Sequence, residues 1–296
     1  MMKPKYTRRS ILKNITLGSS AVLFSPSFSM ASGCASGTES DLKGNIRHSV
    51  SRWTFDDLSL EELCRAVKKI GFNAIDLTGP KDWPVMQQNG IFSSMCYTAG
   101  DNNLYKGLNN PDYHKKLIGE YLDVIPVMKK AGYKNLICFS GARTGMDDET
   151  GLNNCKAALE KILPAAEKSG VTMVMELLNS KIDHPDYMCN HTAWGVELCR
   201  RIGSENFKLL YDIYHMQISE GDIIRTITEN HQYIAHYHTG GVPGRHEINA
   251  SQELNYPAIM KAIVKTGFKG YVAQEFVPTY PNKLDSLREA IGICDV

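Results

Sequence analysis

The sequence lacks several features that would place it in other classes of protein. Its eight cysteines are scattered without a Cys-X-X-Cys pair, which argues against a zinc cluster and against a disulfide framework. After residue 40, no segment of the sequence has the length and apolarity of a membrane span. We therefore interpret the cysteines as mostly buried thiols of a globular domain.

Clusters of basic residues are also missing once the N-terminus is set aside. Residues 1–33 hold five basic residues and no acidic one, so the rest of the chain carries 28 basic against 32 acidic residues. An acidic domain without basic clusters argues against nucleic-acid binding. We expect a small molecule as its ligand.

The first 33 residues have the three parts of an export signal. A twin-arginine element, Thr7–Lys13, is followed by a short apolar stretch, Ile15–Phe24, and then by mostly small residues. These parts, in this order at the N-terminus, predict export to the periplasm by the twin-arginine route.

Two ways of ending this signal fit the sequence. Ser29–Ala31 offers a signal-peptidase site, which is the interpretation we favour. Ala31–Cys34 also resembles a lipoprotein box, which would leave Cys34 acylated and anchor the domain on the periplasmic side of a membrane. In either case residues 34–44 form a linker, and residues 45–296 form the folded domain.

Strand-like apolar runs and helical patterns alternate through residues 45–296. Glycines follow several of the helical patterns, for example Gly71 and Gly170, and predict where those helices end. Eight strands with interleaved helices predict one closed α/β barrel, a (β/α)8 TIM barrel of about 250 residues. The predicted strands are His48–Trp53, Ala74–Leu77, Ile91–Tyr97, Asn135–Ser140, Val171–Glu176, Phe207–Asp212, Tyr233–His238 and Gly270–Glu275.

The last four of these runs each end on a metal-ligand side chain, and the end residues are 36, 26 and 37 positions apart. An isolated acid at a strand end is usually a helix N-cap, and an isolated histidine is usually a core residue. Four such residues in four consecutive strand-plus-helix units argue for a shared metal site, because the strands of a parallel barrel end together on the face that holds the active site. The converging side chains would be Glu176, Asp212, His238 and Glu275.

Three carboxylates and one imidazole favour a single Mn²⁺ or Mg²⁺ ion, and also suit Co²⁺, Fe²⁺ or Zn²⁺. Such a site leaves room for two oxygens of a substrate, so we expect a hydroxy-carbonyl compound or a sugar. Glu176 and Glu275 are the candidates for the acid/base pair, because one can take a carbon-bound proton and the other can return it.

Other polar residues follow the strand ends. His215 is expected either to donate to a substrate oxygen or to cap backbone groups. Arg245 could clamp a substrate carboxylate and Glu247 could accept from a substrate hydroxyl, or the two could form a surface salt bridge. Arg143 is a second candidate for substrate binding. Two aromatic residues are expected to wall the pocket, Trp53 and Tyr97.

Several short stretches resemble the hydroxypyruvate isomerase family of the xylose isomerase-like, or AP endonuclease 2-like, barrel superfamily. They are Met175–Asn179, Asp212–Gln217, His236–His238, Pro243–Arg245 and Gln274–Phe276, and their order and spacing match across nearly all of residues 45–296. The resemblance implies one divalent metal bound by Glu176, Asp212, His238 and Glu275.

The same resemblance implies that Glu176 and Glu275 are the acid/base pair, and that His215 and Arg245 bind the substrate. The strand-seven ligand of hydroxypyruvate isomerases is commonly Gln, whereas His238 is similar to the sugar epimerase branch.

The sequence as a whole predicts a metal-dependent aldose–ketose isomerase that acts through an enediolate. A ketose or keto-sugar 3-epimerase and a sugar lyase are alternatives, because the same site serves all three. A sugar-binding protein without catalysis is a further alternative, against which the pair Glu176 and Glu275 argues. The sequence leaves a homo-oligomer open.

Overall fold

The computed structural model describes residues 42–296, so the predicted signal and most of the predicted linker lie outside the described residues. Within them, eight parallel strands alternate with helices. The strands are β1 (Arg47–Ser51), β2 (Ala74–Asp76), β3 (Phe92–Ser93), β4 (Asn135–Cys138), β5 (Thr172–Glu176), β6 (Phe207–Asp212), β7 (Ile234–Thr239) and β8 (Tyr271–Gln274).

The strands pair in the order β3-β2-β1-β8-β7-β6-β5-β4. The remaining seam, between β3 and β4, is joined by Cys96, whose N–H donates to the Asn135 carbonyl at 2.8 Å and whose carbonyl accepts from Ile137 N–H at 2.9 Å. The prediction of a TIM barrel is therefore confirmed. Strand β3 itself is shorter than predicted, and its pairing continues through single bridges.

Nine α-helices surround the strands in the described part of the chain: α1 (Leu60–Ile70), α2 (Trp83–Gln88), α3 (Pro111–Ala131), α4 (Asp148–Ser169), α5 (Thr192–Ile202), α6 (Ile213–Ser219), α7 (Ile223–Asn230), α8 (Tyr256–Lys265) and α9 (Lys283–Cys294). Local signals set their ends. Ser59 and Glu62 form a capping box at the start of α1, and Gly170 ends α4 with a φ of 66°. None of these helices combines the length and apolarity needed to cross a membrane.

The main core lies between the strands and the helices. A smaller apolar cluster, Met95, Ile137, Val174 and Leu210, is separate from it. Because Val174 and Leu210 each lie two positions before Glu176 and Asp212, they share the inward face of their strands with those acids. The seven cysteines of the described residues are all buried and unpaired with one another, as predicted.

Candidate metal centre

Four buried side chains converge at the carboxyl ends of β5 to β8. Glu176 and Asp212 are the last residues of β5 and β6, His238 is the fifth residue of β7, and Glu275 directly follows β8. One ligand atom from each lies within 4.8 Å of the corresponding atoms of the other three. The structure thus brings together the four residues that the sequence analysis selected, and each is at most 5% exposed.

The Nδ1 atom of His238 faces all three carboxylates. It lies 2.6 Å from Glu275 Oε2, 3.3 Å from Glu176 Oε1 and 3.8 Å from Asp212 Oδ2. None of these contacts has the alignment of a hydrogen bond, so Nδ1 is a buried nitrogen without a hydrogen-bond partner in the described structure. A ring nitrogen facing three buried carboxylate oxygens is a donor set that fits a divalent cation.

The electrostatics of the centre reflect this crowding of charge. Burial raises the pKa of Asp212 to about 7, against the opposing charge of Arg245. Burial also acts to raise the pKa of Glu275, but the charges of His238 and Arg245 outweigh it and hold that pKa well below its usual range. Since carboxylates packed together repel one another, an added cation would relieve this repulsion.

One oxygen of Glu275 is already fixed by the protein. Its Oε1 accepts from Trp53 Nε1 at 2.7 Å and from Ser51 Oγ at 3.1 Å. Its other oxygen, Oε2, is therefore the one that faces His238. Trp53 is 43% exposed, and its role as a wall of the pocket stays a prediction.

Arg245 reaches the centre from the loop after β7. Its Nη2 lies 2.7 Å from Glu275 Oε2 and 3.3 Å from Asp212 Oδ2. Its guanidinium carbon is 5.3 Å from the ring centroids of both Trp53 and Tyr214, an arrangement that favours cation–π attraction. A left-handed φ of 59° at Arg245 turns the chain sharply there.

His215 lies in the first turn of α6, a helix that the sequence analysis did not predict. Asp212 Oδ1 accepts the His215 N–H at 3.1 Å and caps this helix, so Asp212 is an N-cap and a member of the centre at once. The Nε2 of His215 is buried 3.7 Å from Asp212 Oδ2 and has no hydrogen-bond partner among the described residues.

Asn179 fixes the tautomer of the His215 imidazole. This role was not predicted from the sequence. Its Nδ2 lies 2.7 Å from His215 Nδ1 and 2.6 Å from Asp183 Oδ2, so its two amide hydrogens have one acceptor each. The His215 proton is then on Nε2. Burial, with the nearby charge of Arg245, holds the pKa of His215 well below its usual value. His215 is thus a neutral donor at the edge of the centre.

Asp76, the last residue of β2, was also missed. Its Oδ2 lies 2.6 Å from His238 Nε2, on the opposite side of the ring from the carboxylates. The signal was present, because Ala74-Ile75-Asp76 is another apolar run that ends on a carboxylate.

Three predicted residues have their contacts elsewhere. The carboxylate oxygens of Glu247 accept from Thr279 and Ser286, so this residue of the loop after β7 is tied to the loop after β8 and to the start of α9. Arg143 pairs with Asp148 at 2.6 Å. The Tyr97 hydroxyl donates to Asp82 Oδ2 at 3.3 Å. The predicted alternative of an Arg245–Glu247 salt bridge is not found within the described residues.

A surface cavity of about 570 Å³ is in the outer helix layer and is lined by residues of α7, α8 and the turns after them. It contains none of the residues of the metal centre, and we assign it no role.

Comparison with known proteins agrees with this architecture. The sequence profile of a family described as "Xylose isomerase-like TIM barrel" matches residues 51–293. A 3-keto-D-glucoside 4-epimerase from Escherichia coli has a similar solved structure, with a TM-score of 0.71 and 16% identity over 83% of this chain and 98% of that chain. At that identity the likeness concerns the fold alone.

Two relatives carry names that describe a reaction. A 2-oxo-tetronate isomerase of Cupriavidus necator is 36% identical over 114 residues, which is 38% of this chain and 43% of that protein. The alignment therefore covers less than half of that relative. A hydroxypyruvate isomerase of Escherichia coli is 29% identical over 222 residues, or 70% of this chain and 84% of that protein.

Proposed function

The chain belongs to the xylose isomerase-like TIM barrel family, and from that premise we propose that it is a divalent-metal-dependent sugar isomerase of the hydroxypyruvate isomerase type. The observation that carries the proposal is the convergence of three buried carboxylates on the unpaired Nδ1 of His238. The names of the relatives, which are isomerases of short hydroxy-carbonyl acids, support the same reaction class.

The residues that would hold the cation are Glu176, Asp212, His238 and Glu275. When bound, a divalent ion there would supply the positive charge that lowers the cost of ionising a carbon next to a carbonyl. The rest of the chemistry belongs to the side chains of this chain.

Glu176 and Glu275 come from β5 and from the end of β8, so a substrate carbon between them would have a carboxylate on each side. One carboxylate removes a proton from the hydroxyl-bearing carbon next to the carbonyl. The resulting enediolate accepts a proton at the former carbonyl carbon, while the hydroxyl proton passes to the former carbonyl oxygen, so that the carbonyl moves by one carbon. Proton return to the same carbon from the opposite face would give epimerisation, so the same pair serves both reactions.

Two donors are available for the substrate oxygens. His215 Nε2–H is buried and unpaired, and a neutral imidazole can donate to a carbonyl oxygen as negative charge develops on it. Arg245 carries a fixed positive charge and can hold a carboxylate or a hydroxyl group of the substrate. Trp53, half-exposed beside Arg245, would cover the bound substrate.

A 3-epimerase of ketoses or keto-sugars is the second candidate. One residue favours it. The proposed metal ligand of the seventh strand, His238, is similar to the sugar epimerase branch, whereas hydroxypyruvate isomerases commonly have Gln there. The two functions differ in product, since an isomerase moves the carbonyl and an epimerase inverts one carbon.

Product analysis separates these functions. The purified domain, supplied with Mn²⁺ or Mg²⁺, would be given hydroxypyruvate, 2-oxo-tetronate and a panel of ketoses and 3-keto-sugars, with products identified by NMR. Isomerised products support the proposal, and inverted carbons support the second candidate. Release of an unsaturated product would identify a lyase, and binding without turnover would identify a binding protein.

Variants test whether the named residues do this chemistry. Glu176→Gln and Glu275→Gln should each abolish turnover, whereas Glu253→Gln, which changes an exposed glutamate of the loop before α8, should not. If either active-site variant keeps wild-type turnover, the assigned acid/base pair is wrong.

A further inference from the structure

A second polar network lies directly behind the metal centre. Asp76, fully buried, accepts at Oδ2 from two imidazoles, with His238 Nε2 at 2.6 Å and His236 Nε2 at 3.2 Å. Its other oxygen, Oδ1, accepts from Ser94 Oγ at 3.0 Å, and Ser94 is in turn bonded to Ser49. These residues come from β1, β2, β7 and the segment after β3, so the network crosses the barrel.

This arrangement determines where the proton of His238 resides. No lysine or arginine of the described residues is within salt-bridge distance of Asp76, so its hydrogen-bond donors are the two imidazoles and one hydroxyl. A carboxylate oxygen can only accept, and the short contact therefore requires a hydrogen on His238 Nε2. To bind a cation the imidazole must be neutral, with one hydrogen; because Asp76 holds that hydrogen on Nε2, Nδ1 is left with the lone pair.

That lone pair is on the side of the ring that faces the three carboxylates. An imidazole must present a lone pair to bind a cation, and the hydrogen bond on its other nitrogen sets both the tautomer and the ring orientation. With the proton on Nδ1 instead, that nitrogen could not bind a cation at the centre.

His236 contributes from the same strand. Its ring lies 5.3 Å from that of His238, nearly perpendicular to it, and its Nε2 shares Asp76 Oδ2. The Nδ1 of His236 is buried and has no hydrogen-bond partner in the described structure, although the Nε2 of the same ring donates to Asp76. The two imidazole donors from β7 hold Oδ2 of Asp76 beside the His238 ring.

We infer that Asp76 is a positioning residue that selects the Nε2–H tautomer of His238 and thereby sets the affinity of the centre for its divalent ion. The inference rests on the proposed function, in that it requires a cation at the four-residue centre. It assigns Asp76 no contact with the substrate.

The tautomer can be read directly in the unaltered protein. Long-range ¹H–¹⁵N NMR of the purified, Zn²⁺-loaded domain would be compared with that of His238→Gln to assign the His238 ring. We expect a protonated Nε2 and a metal-bound Nδ1. A proton on Nδ1, or binding through Nε2, would overturn the inference without any variant of Asp76 being needed.

Metal affinity gives the second test. Competition with a chromophoric chelator should show Co²⁺ and Mn²⁺ binding weakened by about 10- to 100-fold in Asp76→Asn, because the amide can donate to Nε2 and favour the wrong tautomer. Ser94→Ala is the matched control, since it removes a buried hydrogen bond from the other oxygen of Asp76 and should leave affinity near that of the wild type.

The outcomes separate this inference from the proposed function. If the wild type binds no divalent ion, the proposed function fails. If the wild type binds one ion and Asp76→Asn binds it equally well, the positioning role alone fails. Two ions per chain would also overturn the role, because Asp76, His236 and His238 would then be ligands of a second metal.

Discussion

Arg245 Nη2 lies 2.7 Å from Glu275 Oε2, the oxygen of that carboxylate that is not held by Trp53 and Ser51. The cation proposed to bind the substrate and the proposed catalytic base are therefore in direct contact before any substrate arrives. On that proposal the contact links binding to chemistry, because a substrate that engages Arg245 would also change the surroundings of Glu275.

The first prediction concerns the shape of the Arg245 guanidinium group. Arg245→Lys keeps the charge but loses the planar fork and its position over the Trp53 and Tyr214 rings, so we expect kcat/KM to fall by about 100-fold. Steady-state kinetics measure this. The control is Arg200→Lys, an exposed arginine over the Tyr233 ring, which should leave kcat/KM unchanged. If the two variants have equal kcat/KM, the role assigned to Arg245 is wrong.

The second prediction concerns the tautomer of His215. Asn179→Asp keeps the oxygen that accepts from the backbone N–H groups of Ile182 and Asp183, but replaces the amide that donates to His215 Nδ1. The proton should move to Nδ1 and the donor aimed at the substrate should be lost.

We expect kcat to fall by about 100-fold in Asn179→Asp, as when one donor to a developing oxyanion is removed. Kinetics and ¹⁵N NMR of the His215 ring measure the two effects together. A changed tautomer with unchanged kcat would show that His215 does not act on the substrate.

The third prediction concerns acid stability and His48 of β1. Burial lowers the pKa of His48 to about 4, against the charge of Asp295, and neither ring nitrogen has a hydrogen-bond partner in the described structure. Between about pH 6.5 and pH 4 the unfolded chain therefore binds more protons than the folded one. The free energy of unfolding should fall through that window as the pH falls, by roughly 3 kcal/mol at its lower end.

Urea unfolding of wild type and His48→Leu at pH 7.5 and pH 4.5 measures this contribution. The leucine variant should lose less stability on acidification, whereas His191→Gln, at an exposed histidine, should behave as the wild type. If His48→Leu has the full acid sensitivity of the wild type, another group is responsible.

The fourth prediction concerns export. Replacing Arg8 and Arg9 together by lysine should leave the full-length protein in the cytoplasm, while Lys13→Arg should not. Cell fractionation detects the difference, and mass spectrometry of the exported form distinguishes cleavage after Ala31 from acylation of Cys34. Export of the double variant at the wild-type level would contradict a twin-arginine signal.

Much of the centre could be predicted from the sequence because its members end long apolar strands. Position along a parallel strand fixes which face of the barrel a residue occupies, so Glu176 and Asp212 could be placed together without knowing any distance. The resemblance to a known family pointed to the same residues.

The residues that were missed or misplaced give a weak signal in such patterns or none. Asp76 ends a strand of only three residues, and Asn179 acts only through its contact with His215. Glu247 is two residues from Arg245 in sequence, yet the left-handed turn at Arg245 sends the two side chains to different partners. Backbone direction in a loop is set by tertiary contacts, so sequence proximity was a poor guide there.

Proton exchange with solvent tests the central claim most directly. The metal-loaded domain in D₂O, offered the substrates above, should place deuterium on the carbon next to the carbonyl. Exchange should stop with a chelator or in Glu275→Gln, and continue in Glu253→Gln. If the loaded protein binds its ion tightly and yet exchanges no proton with any of these compounds, the account of an enediolate-forming isomerase is contradicted.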